Sequence, residues 1–487
     1  MCTYAYLASY INRCREGESS ALFGPAEQIV MFALTSGTTA PAKYIPVTKR
    51  SLEAYRRGWE IWGVKAISDH PDSYLRKILQ VTSPAQEYRS SGGISCGAIS
   101  GMLARNQRRI VRRFYATPYE VAEINDATAR YYSIMRLAVT QDVAFITTAN
   151  PSTMLALARV AREQAEQLIR DIHDGTLSAA LNIDKAIRGQ LQGHLRARPD
   201  RAAQLQELLS KHGQLLPRHY WNLSFLAHWT GGALKTYLPR LSEYYGAAPI
   251  RDIGLLASEG RMSIPRADNT PAGVLDLSSN FYEFVPQQEI ENLDQPQSRV
   301  TLGGKFTTLQ SCQLEKGQNY YIFLTNFAGL TRYHMGDLVR VTGHNERTPV
   351  IEFLSKGAHG SNITGEKLTE EQVVDAVHVV SDELALHIEN FIVMPVWDEV
   401  PHYRLYFFSP QSQPRKDLVR MSQMIDRRLA THNIEYESKR NSGRLGEIDM
   451  RQVPAQYLDE RDEELLRNNM GRREQFKHRF LYNTPLE

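Results

Sequence analysis

Four short segments hold the residue types best suited to chemistry. The first is Thr35, Ser36, Gly37, Thr38 and Thr39, followed by Ala40, Pro41, Ala42 and Lys43. Hydroxyls, a permissive glycine and a trailing lysine can converge on phosphate oxygens through O–H, backbone N–H and ammonium donors. The order G-x-x-x-x-G-K-[ST] is absent, so this is not a Walker loop. A Ser/Thr-rich turn has the same composition. The second segment is Ala257, Ser258, Glu259 and Gly260. A carboxylate at a strand end can hold hydrated Mg²⁺, an ion that takes oxygen ligands and one or two carboxylates. The third is Tyr333, His334, Met335, Gly336 and Asp337, where an aspartate set by a glycine turn can accept both hydroxyls of a ribose. In the fourth, Gly365, Glu366 and Lys367 precede Thr369, a helix cap with Glu370 and Glu371 in the first turn. Taken singly, the last three are equally an acidic loop, a common turn and a solvated lysine.

These segments need elements to position them. Residues 28–34 (QIVMFAL) form an apolar run that ends at the first segment, as a buried strand delivering a loop to a sheet rim would. Residues 47–65 read as a helix with Thr48 or Ser51 as cap. The glycine- and serine-rich stretch 90–101 either lines a site or is a plain connection. Apolar spacing predicts helices over 118–140 and 152–172, the second opening at Pro151, with a strand over 142–149 between them. Residues 176–215 are helix-rich and charged. Trp229, Thr230, Gly231 and Gly232 punctuate a strand–turn–helix step, with the helix over 232–244. Strands are expected at 251–258, 281–285, 319–325 and 337–342. Such alternation favours a parallel or mixed sheet with covering helices. After residues 353–357 the texture changes to a helix (369–381), two strands (391–397 and 403–408) and a helix (416–431). The expected fold class is therefore α/β. A large N-terminal domain of mixed sheets and covering helices, residues 1–354, precedes a small, mobile α+β C-terminal domain, residues 355–487.

Composition narrows the function. The chain has 487 residues, 42% apolar and 23% charged, enough to bury a core without staples. Its formal charge of +3 gives no general drive toward nucleic acid or anionic lipid. Arg105, Arg108, Arg109, Arg112 and Arg113 form a local basic run, better read as a solvated face than as a phosphate patch. Cys2, Cys14, Cys96 and Cys312 make no C-x-x-C pair, which argues against a zinc ribbon, a redox motif or a disulfide framework. The N-terminus has no secretory pattern, and no apolar run approaches the ~20 residues that span a bilayer. A soluble cytoplasmic protein is expected, without membrane insertion.

The four segments follow the order seen in acyl-adenylating enzymes. The chain resembles more closely the auxin-responsive (Gretchen Hagen) acyl acid amido synthetases and their bacterial relatives. The resemblance rests on the Thr35–Lys43 loop with its Ile45, Pro46, Val47, Thr48 continuation, and on Asn150, Pro151, Ser152 and Thr153 before a helix. It also rests on Trp229 to Gly232, Ala257 to Gly260, Tyr333 to Asp337, and the closing Gln475, Phe476, Lys477, His478 and Arg479. Such enzymes convert a carboxylic acid and ATP·Mg²⁺ to an acyl-adenylate and pyrophosphate; an amino acid amine then displaces AMP. The resemblance implies phosphate contacts from Thr35, Ser36, Gly37, Thr38, Thr39 and Lys43. It implies a Mg²⁺-linked Glu259 beside Ser258, a ribose-binding Asp337 and a nucleotide-flanking Tyr333. Lys367, just past the hinge, and Lys477, in the tail, are the implied mobile catalytic lysines. The implied partners are a small-molecule acid and an amino acid, taken up by a monomer. An acyl-CoA ligase and a non-catalytic nucleotide- or acyl-binding relative share part of the pattern; the Trp-Thr-Gly-Gly and Gln-Phe-Lys-His-Arg sets favour amidation. Ala40 stands where relatives often have a second glycine. Residues 3–11 resemble a segment that lies further inside relatives' chains.

Overall fold

The computed structural model describes the chain apart from residues 36–42, 232–233, 235–237, 292–305, 357–359, 362, 364–365, 367, 399, 442–444, 469–477 and 483–487. The described residues fall into two compact units. The larger holds Met1–Met335 and Arg340–Glu352; the smaller holds Gly336–Val339, residues from Phe353 onward and the tail after 477.

The centre of the large unit is a parallel sheet in the order Lys77–Gln80, Val143–Thr147, Phe225–His228, Ile250–Asp252. Its two middle strands are buried at every position, as befits a parallel sheet covered on both faces. On one face the helices Ala127–Ala138, Pro151–Glu163, Ala165–Asp174 and Pro199–His212 supply much of the main apolar core. On the other, the helix Lys49–Asp69 brings Trp62 against Phe225, which stacks on Phe145 with ring centroids 4.3 Å apart. Tyr131, Tyr132 and Phe225 are thus core residues.

Some boundaries differ from the sequence reading. The helix expected over 118–140 begins only at Ala127, because the Asp126 carboxylate accepts Ala129 N–H at 2.7 Å and caps it there; Tyr119–Glu123 is a separate 3-10 turn. The helix expected over 152–172 is two helices, since Gln164 leaves the helical region (φ −112°, ψ 29°). The strand expected over 251–258 stops at Asp252, where Gly254 turns the chain with φ +87°.

A second sheet runs in the order Lys43–Thr48, Ile29–Thr35, Ser95–Gly97, Tyr88–Arg89. The first two strands form an antiparallel pair with Thr35 opposite Lys43. The sequence reading missed the strand Lys43–Thr48, although Tyr44, Ile45 and Val47 have strong β character. In the Gly/Ser-rich stretch, residues 90–94 form a turn, Ser95–Gly97 a strand, and Ile99 opens the helix Ile99–Arg105 and borders the recess at Glu259 described below. Beyond it, Arg112 donates to the backbone carbonyls of Gln107 and Arg105, and the basic run is largely exposed. A six-stranded sheet follows the order Ser263–Pro265, Gly273–Leu275, Thr348–Lys356, Tyr333–Asn345, Asn319–Thr325, Phe281–Pro286.

The small unit has a three-stranded sheet: Asn390–Val396 antiparallel to His402–Phe408, with Asp449–Gln452 parallel to the latter. The helices Glu370–Glu383 and Arg415–His432 belong to it, and Thr369 caps the first in a reciprocal box with Gln372. Residues 478–482 return to this sheet: Val393 N–H donates to Phe480 O at 2.6 Å and Tyr482 N–H to Val393 O at 2.8 Å. His478 pins the tail, with Nδ1 2.8 Å from Asp462 Oδ1 and Nε2 3.0 Å from Phe391 O. Both partners are acceptors, so both ring nitrogens must carry protons. Burial opposes the charge, but Asp462, the two hydrogen bonds and Glu370 together raise the pKa above the ordinary imidazole value. A raised folded-state pKa gives stability that is complete below about pH 6.5 and is lost as pH rises through the raised value. Denaturant unfolding of the wild type is therefore expected to weaken across that rise, and His478→Gln to flatten the pH dependence; identical profiles would refute the ionised pin.

The cysteines Cys2, Cys14, Cys96 and Cys312 are all unbridged. Among the described residues, no helix is long and apolar enough to cross a membrane.

Candidate active site

Asp252 ends the last strand of the parallel sheet, and the chain turns back through Gly254. A side chain at Gly254 would place its Cβ 2.3 Å from Ser263 O, so only glycine lets the turn lie this close. Leu255 N–H then donates to Ser263 Oγ at 2.9 Å and Met262 N–H to Leu255 O at 2.8 Å. These bonds fold residues 256–261 into a hairpin. Leu256–Ala257 pairs antiparallel with Gly260–Arg261, and Ser258 and Glu259 form the two-residue link at its tip. Glu259 therefore stands on a hairpin tip rather than at the end of a sheet strand.

The tip lines a small recess of about 10 Å³, shared with Ser51, Tyr55, Ser258, Asn280 and Asn326. Asn326 donates to the Glu259 backbone carbonyl at 2.7 Å and so fixes the tip without using the carboxylate. That carboxylate is buried, and the Tyr333 hydroxyl donates to Oε1 at 3.5 Å. Ser51 reaches the recess because Thr48 caps its helix: Thr48 Oγ1 accepts Ser51 N–H at 3.2 Å and donates to Phe327 O at 2.9 Å. The cap thus ties the helix start to the loop bearing Asn326.

Arg261 lies beneath the tip, fully buried, with one Nη donating to Ile253 O at 2.9 Å and Ser263 O at 3.1 Å. Its guanidinium sits 4.5 Å from the Trp59 ring centre. Gly58 makes room for it inside a helix, since a Cβ there would lie 2.3 Å from Arg261 Cδ. Burial lowers the Arg261 pKa to about 10, still cationic at neutral pH, and raises that of Tyr55 to about 12.

Of the expected site residues, the structure brings Ser258, Glu259 and Tyr333 together. Tyr333 is held by the chain's first residues: Cys2 N–H donates to Arg332 O at 3.0 Å and His334 N–H to Cys2 O at 2.8 Å. Thr35 and Lys43 face each other across their strand pair, with the Lys43 ammonium 5.5 Å from the Tyr4 ring centre. Asp337 is buried within the strand Tyr333–Asn345, so residues 333–337 are not the turn expected from the sequence. Gly336 explains the misreading, since its φ of +78° kinks the strand without ending it. Ser36, Gly37, Thr38, Thr39, Lys367 and Lys477 lie outside the described residues. Sequence reading missed Ser51, Tyr55, Arg261 and Asn326. Arg261 had a signal in its place next to the acidic tip; the others come from distant elements and had none.

A carboxylate that forms no ion pair among the described residues, with a hydroxyl beside it and a small recess in front, suits a hard divalent ion whose remaining shell is phosphate oxygens and water. Among the described residues there is no cluster of three or more acidic, histidine or cysteine ligands. An all-protein metal cage is thus not formed there, whereas a single-carboxylate Mg²⁺ contact fits.

The fold is that of the acyl acid amido synthetases. The chain aligns with the structure of AtGH3.15 acyl acid amido synthetase in complex with 2,4-DB at a TM-score of 0.84 and 19% identity, covering 99% of this chain and 84% of that one. The GH3 family N-terminal domain matches residues 1–250, its central domain 273–356 and its C-terminal domain 371–485. The chain belongs to the GH3 family. Among curated proteins it is 24% identical over 478 residues to the indole-3-acetic acid-amido synthetase GH3.10 of Arabidopsis thaliana, covering 93% of this chain and 79% of that protein. It is 23% identical over 424 residues to the jasmonoyl–L-amino acid synthetase JAR4 of Nicotiana attenuata, covering 83% and 71%.

Proposed function

We propose that this chain is an ATP-dependent acyl acid amido synthetase that adenylates a small carboxylic acid and passes the acyl group to an amino acid. The observation that carries this reading is the Glu259 carboxylate, buried at a hairpin tip beside a small recess and forming no ion pair among the described residues. A carboxylic acid reacts poorly with amines because hydroxide is a poor leaving group, and AMP is a far better one. Mg²⁺, when bound, supplies charge neutralisation for the nucleotide phosphates. In this reading Glu259 provides a metal ligand, Ser258 and Tyr333 flank the nucleotide, and Asp337 takes the ribose hydroxyls. Thr35, Ser36, Gly37, Thr38, Thr39 and Lys43 cradle phosphate, and Lys367 and Lys477 bring positive charge to the reacting oxygens. In the expected division at 354/355 both lysines belong to the C-terminal part, from which one would serve each half-reaction.

The test is AMP release with a panel of carboxylic acids, each with and without a mixture of amino acids. Release that requires both an acid and an amine, with an amide product, is expected. Thioester formation with coenzyme A and no amide would make the chain an acyl-CoA ligase instead.

A further inference from the structure

Asp252 is fully buried, yet no residue of its own strand pairing requires a carboxylate there. It sits at the carboxyl end of the parallel sheet, opposite His228 on the neighbouring strand. One carboxylate oxygen accepts both Thr230 N–H and Thr230 Oγ–H at 2.6 Å, and the other accepts Gly254 N–H at 2.6 Å. The two loops joined in this way are also laced from outside. Trp229 Nε1–H donates to Gly254 O and Trp62 Nε1–H to Asp252 O, both at 2.8 Å. Among the described residues no cation forms an ion pair with Asp252. The hydrogen bonds to its carboxylate come from neutral donors; the buried Arg261 guanidinium offsets part of the desolvation cost, and burial still pushes the pKa up to about 6. An amide of the same shape would avoid that cost if the site only filled space.

The donor pattern shows what the carboxylate provides. Three donors converge on two oxygens, and an acceptor-only group is needed to receive them all. An asparagine in its place would turn an N–H toward one of these donors. From Gly254 the register continues without slack through Leu255 N–H to Ser263 Oγ and into the Glu259 hairpin.

We propose that Asp252 is a positioning residue for the metal ligand: by tying Thr230 to Gly254 it sets the hairpin that presents Glu259 to nucleotide-bound Mg²⁺. The inference rests on the ATP·Mg²⁺ reading of Glu259 and adds a residue that touches neither nucleotide nor metal. Groups that orient a ligating carboxylate govern metal affinity while contributing little to metal-free binding.

The experiment is calorimetric titration of ATP into the full chain, once with Mg²⁺ and once with chelator, and it needs no knowledge of the acid substrate. The quantity read is the factor by which Mg²⁺ tightens ATP binding. Asp252→Asn is expected to reduce that factor about tenfold relative to wild type. Thr230→Val, which keeps the N–H but loses the hydroxyl, is expected to lower it less, and Thr230→Ser to restore it. ATP affinity in chelator should stay within about twofold of wild type in every folded variant. An unchanged factor in both Asp252→Asn and Thr230→Val would overturn the proposal. So would an equal loss with and without Mg²⁺, which is the mark of a merely structural residue. A wild type that binds ATP with no help from Mg²⁺ would overturn the metal reading of Glu259 itself, and that result is seen before any variant is made.

Discussion

Replacing Glu259 with alanine is expected to abolish acid-dependent exchange of pyrophosphate into ATP while the protein stays folded. The hairpin does not depend on the side chain. Its tip is fixed through the backbone, by Asn326 on the Glu259 carbonyl and by the pairing of Gly260 with Ala257. Among the described residues the carboxylate's hydrogen-bond partner is the Tyr333 hydroxyl at 3.5 Å, too long to contribute much to stability. Losing a charged ligand at the reacting phosphates should lower the exchange rate by about 100-fold or more. The measurement is exchange across an acid library with both proteins, alongside their melting temperatures. Wild-type exchange in Glu259→Ala would remove the metal assignment.

The second large effect concerns folding. Gly101→Ala is expected to destabilise the large unit by about 2–3 kcal/mol, a cost typical of overpacking that cannot relax. A Cβ at this position would meet Ser83 O at 2.2 Å, Ala85 N at 2.5 Å and Pro84 C at 2.7 Å, all backbone atoms. Gly97 is pressed against the same segment, with Ala85 O 2.3 Å from its ideal Cβ, and Ala98 N–H donates to Pro84 O at 2.9 Å. The two glycines thus let the strand Ser95–Gly97 and the helix Ile99–Arg105 lie directly on the backbone of residues 83–86. Thermal unfolding of Gly101→Ala checks this; a melting temperature equal to wild type would mean that the segment moves aside freely. Gly93→Ala is the control for space alone, because no atom lies within 4 Å of its ideal Cβ, although its φ of +80° carries a strain of its own.

Local chemistry made parts of this molecule readable in the sequence. Thr369, and Thr48 or Ser51, read as caps because a hydroxyl before an apolar helical pattern has one efficient use; Thr48 and Thr369 cap their helices. The alternation of strands and helices pointed to a parallel or mixed sheet with covering helices, and the central sheet is parallel. Glycine misled in both directions. Gly254 breaks what looks like one continuous strand, whereas Gly336 kinks a strand that looked like a turn. The site was legible only as separate pieces. Tyr333 and Glu259 are 74 positions apart, and Thr230 and Asp252 are 22 apart. No spacing rule reaches across such gaps, so the order of motifs, rather than any local pattern, pointed to one site. Arg261 shows the opposite limit. Its neighbours Trp59 and Gly58 come from a helix about 200 positions earlier, and only folding reveals why a helix interior tolerates that glycine.

The grip of Cys2 on the strand bearing Tyr333 has a consequence in time. Its thiol donates to Thr331 O across 329 positions, and its backbone bonds to Arg332 and His334 on either side of Tyr333. Contacts between such distant positions form slowly, because a very long loop must close before they reward it. During synthesis the first residues must wait on the order of tens of seconds for the 330s to leave the ribosome. The corner where Tyr333 meets Glu259 is thus among the last parts of the large unit to take shape, well after the parallel sheet has all its strands. A nascent chain paused before residue 331 would hold every strand of the parallel sheet and no finished site.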